Sequence, residues 1–221
     1  MPETLTYDTV VIGAGPGGYV CAIRLGQLGV STLLVERESL GGVCLNVGCI
    51  PSKALIHAAK QADHVAKAAA MGINAKLESL DLAKMQDWKS AIVKKLTGGV
   101  GQLVKGNGSA IAMGTARLLS ANSVEIKGAD GSVKTVQCKH VVVATGSRPV
   151  QIPGFEFDEQ FVLSSTGALA LDLEATTGIV AITLAPGFPY SDIRDAGLAV
   201  LVTTGMRHAP GHGVPWREIA L

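Results

Sequence analysis

Thr9-Val10-Val11-Ile12-Gly13-Ala14-Gly15-Pro16-Gly17-Gly18 decides the fold of this 221-residue chain. The first four residues read as a short, buried parallel strand that ends at Gly13. Pro16 to Leu28 then reads as a helix, stopped by Gly29, and Ser31-Thr32-Leu33-Leu34-Val35 as a second buried strand closing a βαβ unit at Glu36. In the turn, Gly13, Gly15 and Gly18 satisfy the pattern G-x-G-x-x-G. The first glycine permits the tight turn, the second lets a pyrophosphate approach the backbone, and the third allows helix and strand to pack closely. Phosphates there would meet free N–H groups at the positive end of the helix dipole. Alone the glycine pattern is weak. Between a strand and a helix, with an acidic residue ending the next strand, it reads as a dinucleotide site in which Glu36 accepts hydrogen bonds from ribose hydroxyls.

Immediately downstream lies Gly41-Gly42-Val43-Cys44-Leu45-Asn46-Val47-Gly48-Cys49-Ile50-Pro51-Ser52-Lys53. Five residues of regular helix advance about 7.5 Å along the axis, whereas a disulfide wants Cα atoms about 4.4–6.8 Å apart. Cys44 and Cys49 therefore pair only across a break, which Gly48 and Pro51 can supply. A helix N-terminus and a nearby cation would favour the thiolate of such a pair, and Lys53, four residues beyond Cys49, is within reach of the same helix face. Three readings stay open on the residues alone: a redox-active pair beside a cofactor, half of a zinc site, or two inert buried thiols. No second Cys/His cluster offers complementary zinc ligands, and Lys53 can equally be a solvated side chain. Cys21 and Cys138 read as ordinary small apolar residues. His57, His64 and His140 have no evident acidic partner and read as structural or exposed.

Beyond the cysteines an Ala- and Lys-rich helix runs to about Ala70. Asp81 is a candidate N-cap for another, with Leu82, Met85, Trp88, Ile92, Leu96 and Leu103 forming a stripe expected to pack in the core. Gly98 and Gly99 leave the end of that helix open, since each costs about 1 kcal/mol in a helix interior. From Ser109 the texture changes: Ala110–Leu118, Ser123–Lys127 and Ser132–Gln137 read as extended, with a turn at Gly128-Ala129-Asp130-Gly131. His140 to Ala144 reads as a third buried strand running into Thr145 and Gly146. Pro149 and Pro153-Gly154 mark a change of direction and a candidate domain boundary.

The bulk composition excludes several classes. Charged residues make up 17% of the chain and the formal net charge is +1, which leaves no basic stripe of the kind a nucleic-acid binder carries. No uninterrupted apolar run approaches a membrane span. Met1 to Asp8 lacks the features of a signal peptide, and four cysteines in this length make no secreted disulfide framework. The expected address is the cytoplasm, with no membrane or nucleic-acid partner and no bound metal.

The segment Gly41–Lys53 closely resembles the redox-active disulfide motif of the pyridine nucleotide–disulfide oxidoreductases. Ala144-Thr145-Gly146-Ser147-Arg148-Pro149 is similar to the second flavin contact of that family, and Ser164-Ser165-Thr166-Gly167-Ala168-Leu169 to its segment leading towards an NAD domain. The resemblance covers about residues 5–172. It implies an α/β, Rossmann-like FAD-binding domain with an inserted β-meander. Bound FAD would lie on Gly13, Gly15 and Gly18, with Glu36 on its ribose. Lys53 would sit near the flavin ring, Gly114-Thr115-Ala116 at the adenine end, and Thr145, Gly146 and Ser147 at the second contact. Cys49 would face the flavin and Cys44 would exchange with substrate. The detail of the motif is most similar to the branch that oxidises dihydrolipoamide, carried on the lipoyl domain of an E2 component, with NAD as co-substrate in a homodimer. Glutathione and mercuric reductases carry sister versions, so a reductase of that kind is the alternative enzyme. An FAD-binding fragment without steady-state activity is the alternative to an enzyme.

The family pattern also stops. After Asp172 no second G-x-G-x-x-G follows, and no interface domain with a His–Glu pair; His208 and His212 do not sit in that motif. No lysine occurs after Lys139, and Pro186-Gly187-Phe188-Pro189 suits a parallel-sheet domain poorly. The expected organisation is therefore an FAD-binding domain over residues 1–155, a connector over 156–172 towards an absent NAD domain, and an atypical tail over 173–221. A frameshift or truncation would account for that tail.

Overall fold

The computed structural model describes residues 4–151, 156–159 and 162–170. The expected boundary at Pro153-Gly154 and the tail 173–221 lie outside the described residues. Six strands form one sheet in the order β3-β2-β1-β6-β5-β4. β1 (Thr4–Ile12) leads through α1 (Pro16–Gln27) to β2 (Thr32–Glu36). α2 (Gly42–Val47), α3 (Cys49–Lys67), a 3₁₀ turn at Ala68–Met71 and α4 (Leu82–Gly106) follow. β3 (Ala110–Met113), β4 (Thr115–Ser120), β5 (Ser123–Lys127), β6 (Val133–Val143) and α5 (Ser165–Leu169) complete the described chain.

The sheet has two characters. β3, β2, β1 and the C-terminal half of β6 run parallel, while β4, β5 and the N-terminal half of β6 form an antiparallel meander. Side chains alternate between faces along each strand. Val10, Leu33 and Val35 pack against Val124, Ile126, Val136 and Cys138, so the meander covers one face of the parallel strands. Val11 and Leu34 point the other way, onto Ala22, Leu45, Val100 and Val104 of the helices. β2 is buried throughout, which is why it reads as a continuous apolar run without alternation.

Several expected elements change. Ala110–Leu118 is two strands rather than one, broken at Gly114. There φ is +154°, and a Cβ would lie 2.7 Å from the Lys127 carbonyl oxygen. That single residue carries the chain from the parallel edge into the meander, with its N–H held by the Glu36 carbonyl at 2.7 Å. Conversely, Ser132–Gln137 and the strand from His140 are one element, β6, shared by both halves of the sheet. α4 runs through Gly98 and Gly99 to Gly106 and begins, as expected, at Asp81, whose carboxylate accepts the Lys84 N–H at 2.9 Å. Its expected core stripe is a correction: Trp88, Leu96 and Leu103 are 43, 41 and 56% exposed, while the buried pair is Val100 and Val104. Only the last turns of α4 lie under the sheet; its earlier turns run along α3, where Trp88 meets the His57 ring at 6.3 Å.

The helical run Gly42–Met71 is long and apolar enough to cross a membrane by length and composition alone, contrary to the reading from uninterrupted apolar runs. In the fold it is broken at Gly48, and its α3 part buries Pro51 and Ala54 while exposing Lys53, Lys60 and Lys67.

Candidate functional site

The glycine turn joining β1 to α1 is shaped by near-contacts that exclude side chains. A Cβ on Gly18 would lie 1.7 Å from the Gly13 carbonyl oxygen, and one on Gly13 would lie 2.3 Å from the Ala144 carbonyl oxygen and 3.1 Å from Thr145 Cα. The end of β6 therefore crosses directly over the first glycine, tied there by Ala144 N–H to the Ile12 carbonyl at 2.8 Å. Gly15 differs: a Cβ there meets nothing within 4 Å. A loop whose outer glycines are forced by packing and whose central glycine faces open space suits close approach of a pyrophosphate to backbone N–H groups.

Glu36 ends β2 beside this turn and is 9% exposed. One carboxylate oxygen accepts the Ala14 N–H at 2.7 Å and the other the Glu38 N–H at 2.8 Å. The expected ribose ligand is thus already bound to the glycine loop itself, and each oxygen keeps acceptor capacity for a hydroxyl. Gly114 lies against the Glu36 carbonyl, which sets Gly114-Thr115-Ala116 at the same end of β2, with Ala116 packed on the core. Thr145, Gly146 and Ser147 follow Ala144 and are exposed.

The cysteine segment is built onto the same turn. Gly41 N–H donates to the Ala14 carbonyl at 2.8 Å. Gly42 has φ of +57°, and a Cβ there would lie 2.6 Å from Gly15 Cα. Two segments separated in the sequence are thereby in direct backbone contact. Asn46 locks the short helix that follows, its side-chain N–H groups donating to the Leu40 and Gly42 carbonyls at 2.9 Å each. α2 then ends at Gly48, whose backbone is non-helical, and α3 starts anew at Cys49. A Cβ on Gly48 would lie 2.9 Å from the Val43 carbonyl oxygen. Ser52 Oγ donates to the Gly48 carbonyl at 2.6 Å and steadies the break. Asn46 and Ser52 are positioning residues that sequence reasoning left unassigned; an amide between the two cysteines was the available signal.

The break brings the sulfurs together. All four cysteines are free in the structure, and Cys49 lies close enough to Cys44 to shift its titration. Burial, then the hydrogen bond and charge of Cys49, push the Cys44 thiol up to about 11. The Cys49 backbone N–H and the Lys53 ammonium pull the other way, but with less effect. For Cys44 the expected thiolate-favouring environment is therefore a correction: burial outweighs the cation. Lys53 and Cys49 are exposed on one face of α3. Cys21 is half-buried and Cys138 buried, both packed in the two core clusters. Among the described residues no group of three or more His, Cys, Asp and Glu side chains could hold a metal ion.

Comparison with known proteins places the sequence in a family. The family model for pyridine nucleotide-disulphide oxidoreductases matches residues 7–182. A dihydrolipoyl dehydrogenase of Bacillus subtilis is 51% identical over 164 residues, covering 74% of this chain and 34% of that protein. The dihydrolipoyl dehydrogenase of Pseudomonas aeruginosa is 47% identical over 173 residues, 77% of this chain and 37% of its own length. The chain thus spans about a third of the length of the curated relatives it matches. Among solved structures, LpdA of Mycobacterium tuberculosis shares the fold with a TM-score of 0.67 at 20% identity, over 75% of this chain and 37% of that one. The flavoprotein disulfide reductase RclA of Escherichia coli does so with a TM-score of 0.61 at 24% identity, over 75% and 34%. With its glycine turn, thiol pair and Rossmann-like sheet, the chain belongs to the pyridine nucleotide-disulphide oxidoreductase family.

Proposed function

We propose that this chain is the FAD-binding, disulfide-bearing part of a dihydrolipoyl dehydrogenase, which oxidises dihydrolipoamide to lipoamide with NAD as final acceptor. The observation that carries the reading is the contact of Gly42 on Gly15, which seats the Cys44–Cys49 pair on the edge of the dinucleotide turn. The names of the relatives support dihydrolipoamide as the substrate class over glutathione disulfide or Hg(II). In the reading, Gly13, Gly15 and Gly18 present N–H groups to the pyrophosphate, Glu36 takes the ribose, and Gly114 and Ala116 line the adenine end. Lys53 and Thr145, Gly146 and Ser147 lie towards the ring. FAD, when bound, supplies the two-electron acceptor that returns the thiol pair to the disulfide.

The chain's own residues perform the exchange. A substrate thiolate attacks Cys44 Sγ of the disulfide; the Cys44–Cys49 bond breaks and its electron pair goes to Cys49. The second substrate thiol then displaces Cys44, and substrate leaves as its disulfide. Because burial raises its thiol so far, Cys44 departs holding a proton rather than as a thiolate. Residues 156–172 we read as the connector towards an NAD domain. Dihydrolipoamide on an E2 lipoyl domain and a second copy of the whole protein are the partners that the family implies.

The test is an absorption spectrum of the purified 221-residue chain, titrated with a dithiol. Flavin bands that respond to the dithiol, and cease to respond in Cys44→Ser and Cys49→Ser, are the expected result. A colourless protein reconstituting no FAD would sink the cofactor assignment. In a full-length relative, either substitution at the matching cysteine is expected to abolish lipoamide turnover.

A further inference from the structure

α5 is five residues long, too short to keep a helical shape in water by itself. It is held at both ends. At its start Ser164 is buried, and its Oγ accepts the Thr166 and Gly167 N–H groups at 3.2 and 3.3 Å. The Ser164 N–H in turn donates to the Glu159 carboxylate at 3.3 Å. At its end the Lys89 ammonium reaches across from α4 and donates to the Leu169 carbonyl at 2.7 Å. The last carbonyls of a helix lack partners within it and carry the negative end of its dipole, so a cation suits that place. The lysine itself is poorly solvated there. Lys89 is half-buried, and its two acceptors, the Leu169 carbonyl and the Gln86 side-chain oxygen, are neutral. Burial accordingly holds its ammonium below the ordinary lysine value.

α5 lies against α2, the six-residue helix that carries Cys44. One turn of α4 thus reaches both cysteine helices. Trp88 meets the His57 ring of α3, the helix that Cys49 opens, and Lys89 holds α5 against α2. Gly48 separates α2 from α3, so the seat of α2 depends on what packs around it. We propose that Lys89 is a positioning residue for the thiol exchange: by fixing the end of α5 on α4, it keeps that short helix seated on α2 and so keeps water from Cys44. The inference rests on the exchange proposed above, in which Cys44 is the sulfur that substrate attacks. A thiol kept from water holds its proton, so release of α5 makes Cys44 both more acidic and more open to a reagent.

The experiment uses the reduced 221-residue chain at pH 8, with iodoacetamide as the probe and each cysteine followed by peptide mass spectrometry. Lys89→Met keeps an unbranched apolar side chain and removes the ammonium. It should speed hydrogen exchange at the Gly167, Ala168 and Ala170 N–H groups and raise Cys44 alkylation about tenfold. That is part of the roughly hundredfold that a full return from about 11 to 9.0 would give. Cys138, buried on the opposite face of the sheet, should stay unreactive, which reports an intact fold. Lys89→Arg keeps a cationic donor and should restore both rates. Ser164→Ala frees α5 at its other end without altering α4, and should raise Cys44 alkylation in the same direction even if Lys89→Met fails to fold. Unchanged exchange of α5 in both variants overturns the proposal. So does faster exchange of α5 with Cys44 alkylation unmoved, the result that a merely structural lysine would give. Acceleration shared equally by Cys138 overturns it as well, because it reports general loosening. Failure of dithiothreitol to reduce the oxidised pair in the unmodified chain would instead overturn the exchange chemistry on which the inference stands.

Discussion

Cys44 keeps its proton because it is half-buried and donates to its neighbour, and that decides which pH range its chemistry occupies. A thiol raised from 9.0 to about 11 is mostly thiolate only above the higher value, and its thiolate fraction falls about tenfold per pH unit below it. Alkylation of Cys44 by iodoacetamide in the reduced chain should therefore climb about tenfold per pH unit up to about pH 11, rather than levelling near pH 9. Lys53→Met removes a cation that lowers this thiol, so the plateau should move further up. A plateau at pH 9 in the unmodified chain would contradict the buried, hydrogen-bonded thiol. The glycines make a second residue-scale contrast. Gly18→Ala places a Cβ 1.7 Å from a backbone oxygen that cannot move aside, and should lower thermal stability markedly, by about 2 kcal/mol or more. Gly15→Ala meets nothing within 4 Å, so the melting temperature of the chain without FAD should hardly change while FAD retention falls. Equal loss of stability in the two variants would refute that division of roles.

Among the elements, α4 departs most from its reading. Gly98 and Gly99 left its end open, and backbone hydrogen bonding and packing of Val100 and Val104 carry the helix through them. A Cβ on Gly98 or Gly99 meets nothing within 4 Å, and neither has positive φ. Replacing each with Ala should stabilise the fold by about 0.5–1 kcal/mol, read as a raised midpoint in urea unfolding. A drop in the midpoint would mean that a neighbour outside the described residues occupies that side. The stripe beginning at Leu82 was misassigned for a related reason: helical periodicity identifies a shared face but not what lies opposite it. Trp88 found His57 on α3 instead of the core. α2 and α3 were more legible, because Gly48 between two cysteines announces a break by itself.

At the scale of the molecule, β2 and the C-terminal part of β1 form the centre, covered by the meander on one face and by helices on the other. Every part of the candidate site is hung from the C-terminal ends of these strands: the glycine turn after β1, Glu36 at the end of β2, Ala144 after β6. Free N–H groups and open space collect there because the parallel strands end together while their helices begin. The amino-acid sequence by itself determined the βαβ unit, the glycine turn, the cap of α4 and the interrupted cysteine helix. Each depends on spacing within a few residues, where backbone geometry and side-chain size suffice. Tertiary structure alone decided that Gly114 redirects the chain into the meander, that Ala144 closes over Gly13, that Gly42 seats on Gly15, and that Glu36 binds Ala14. Those contacts join segments distant in the chain, and they exist only once strand order and the packing of both sheet faces are set.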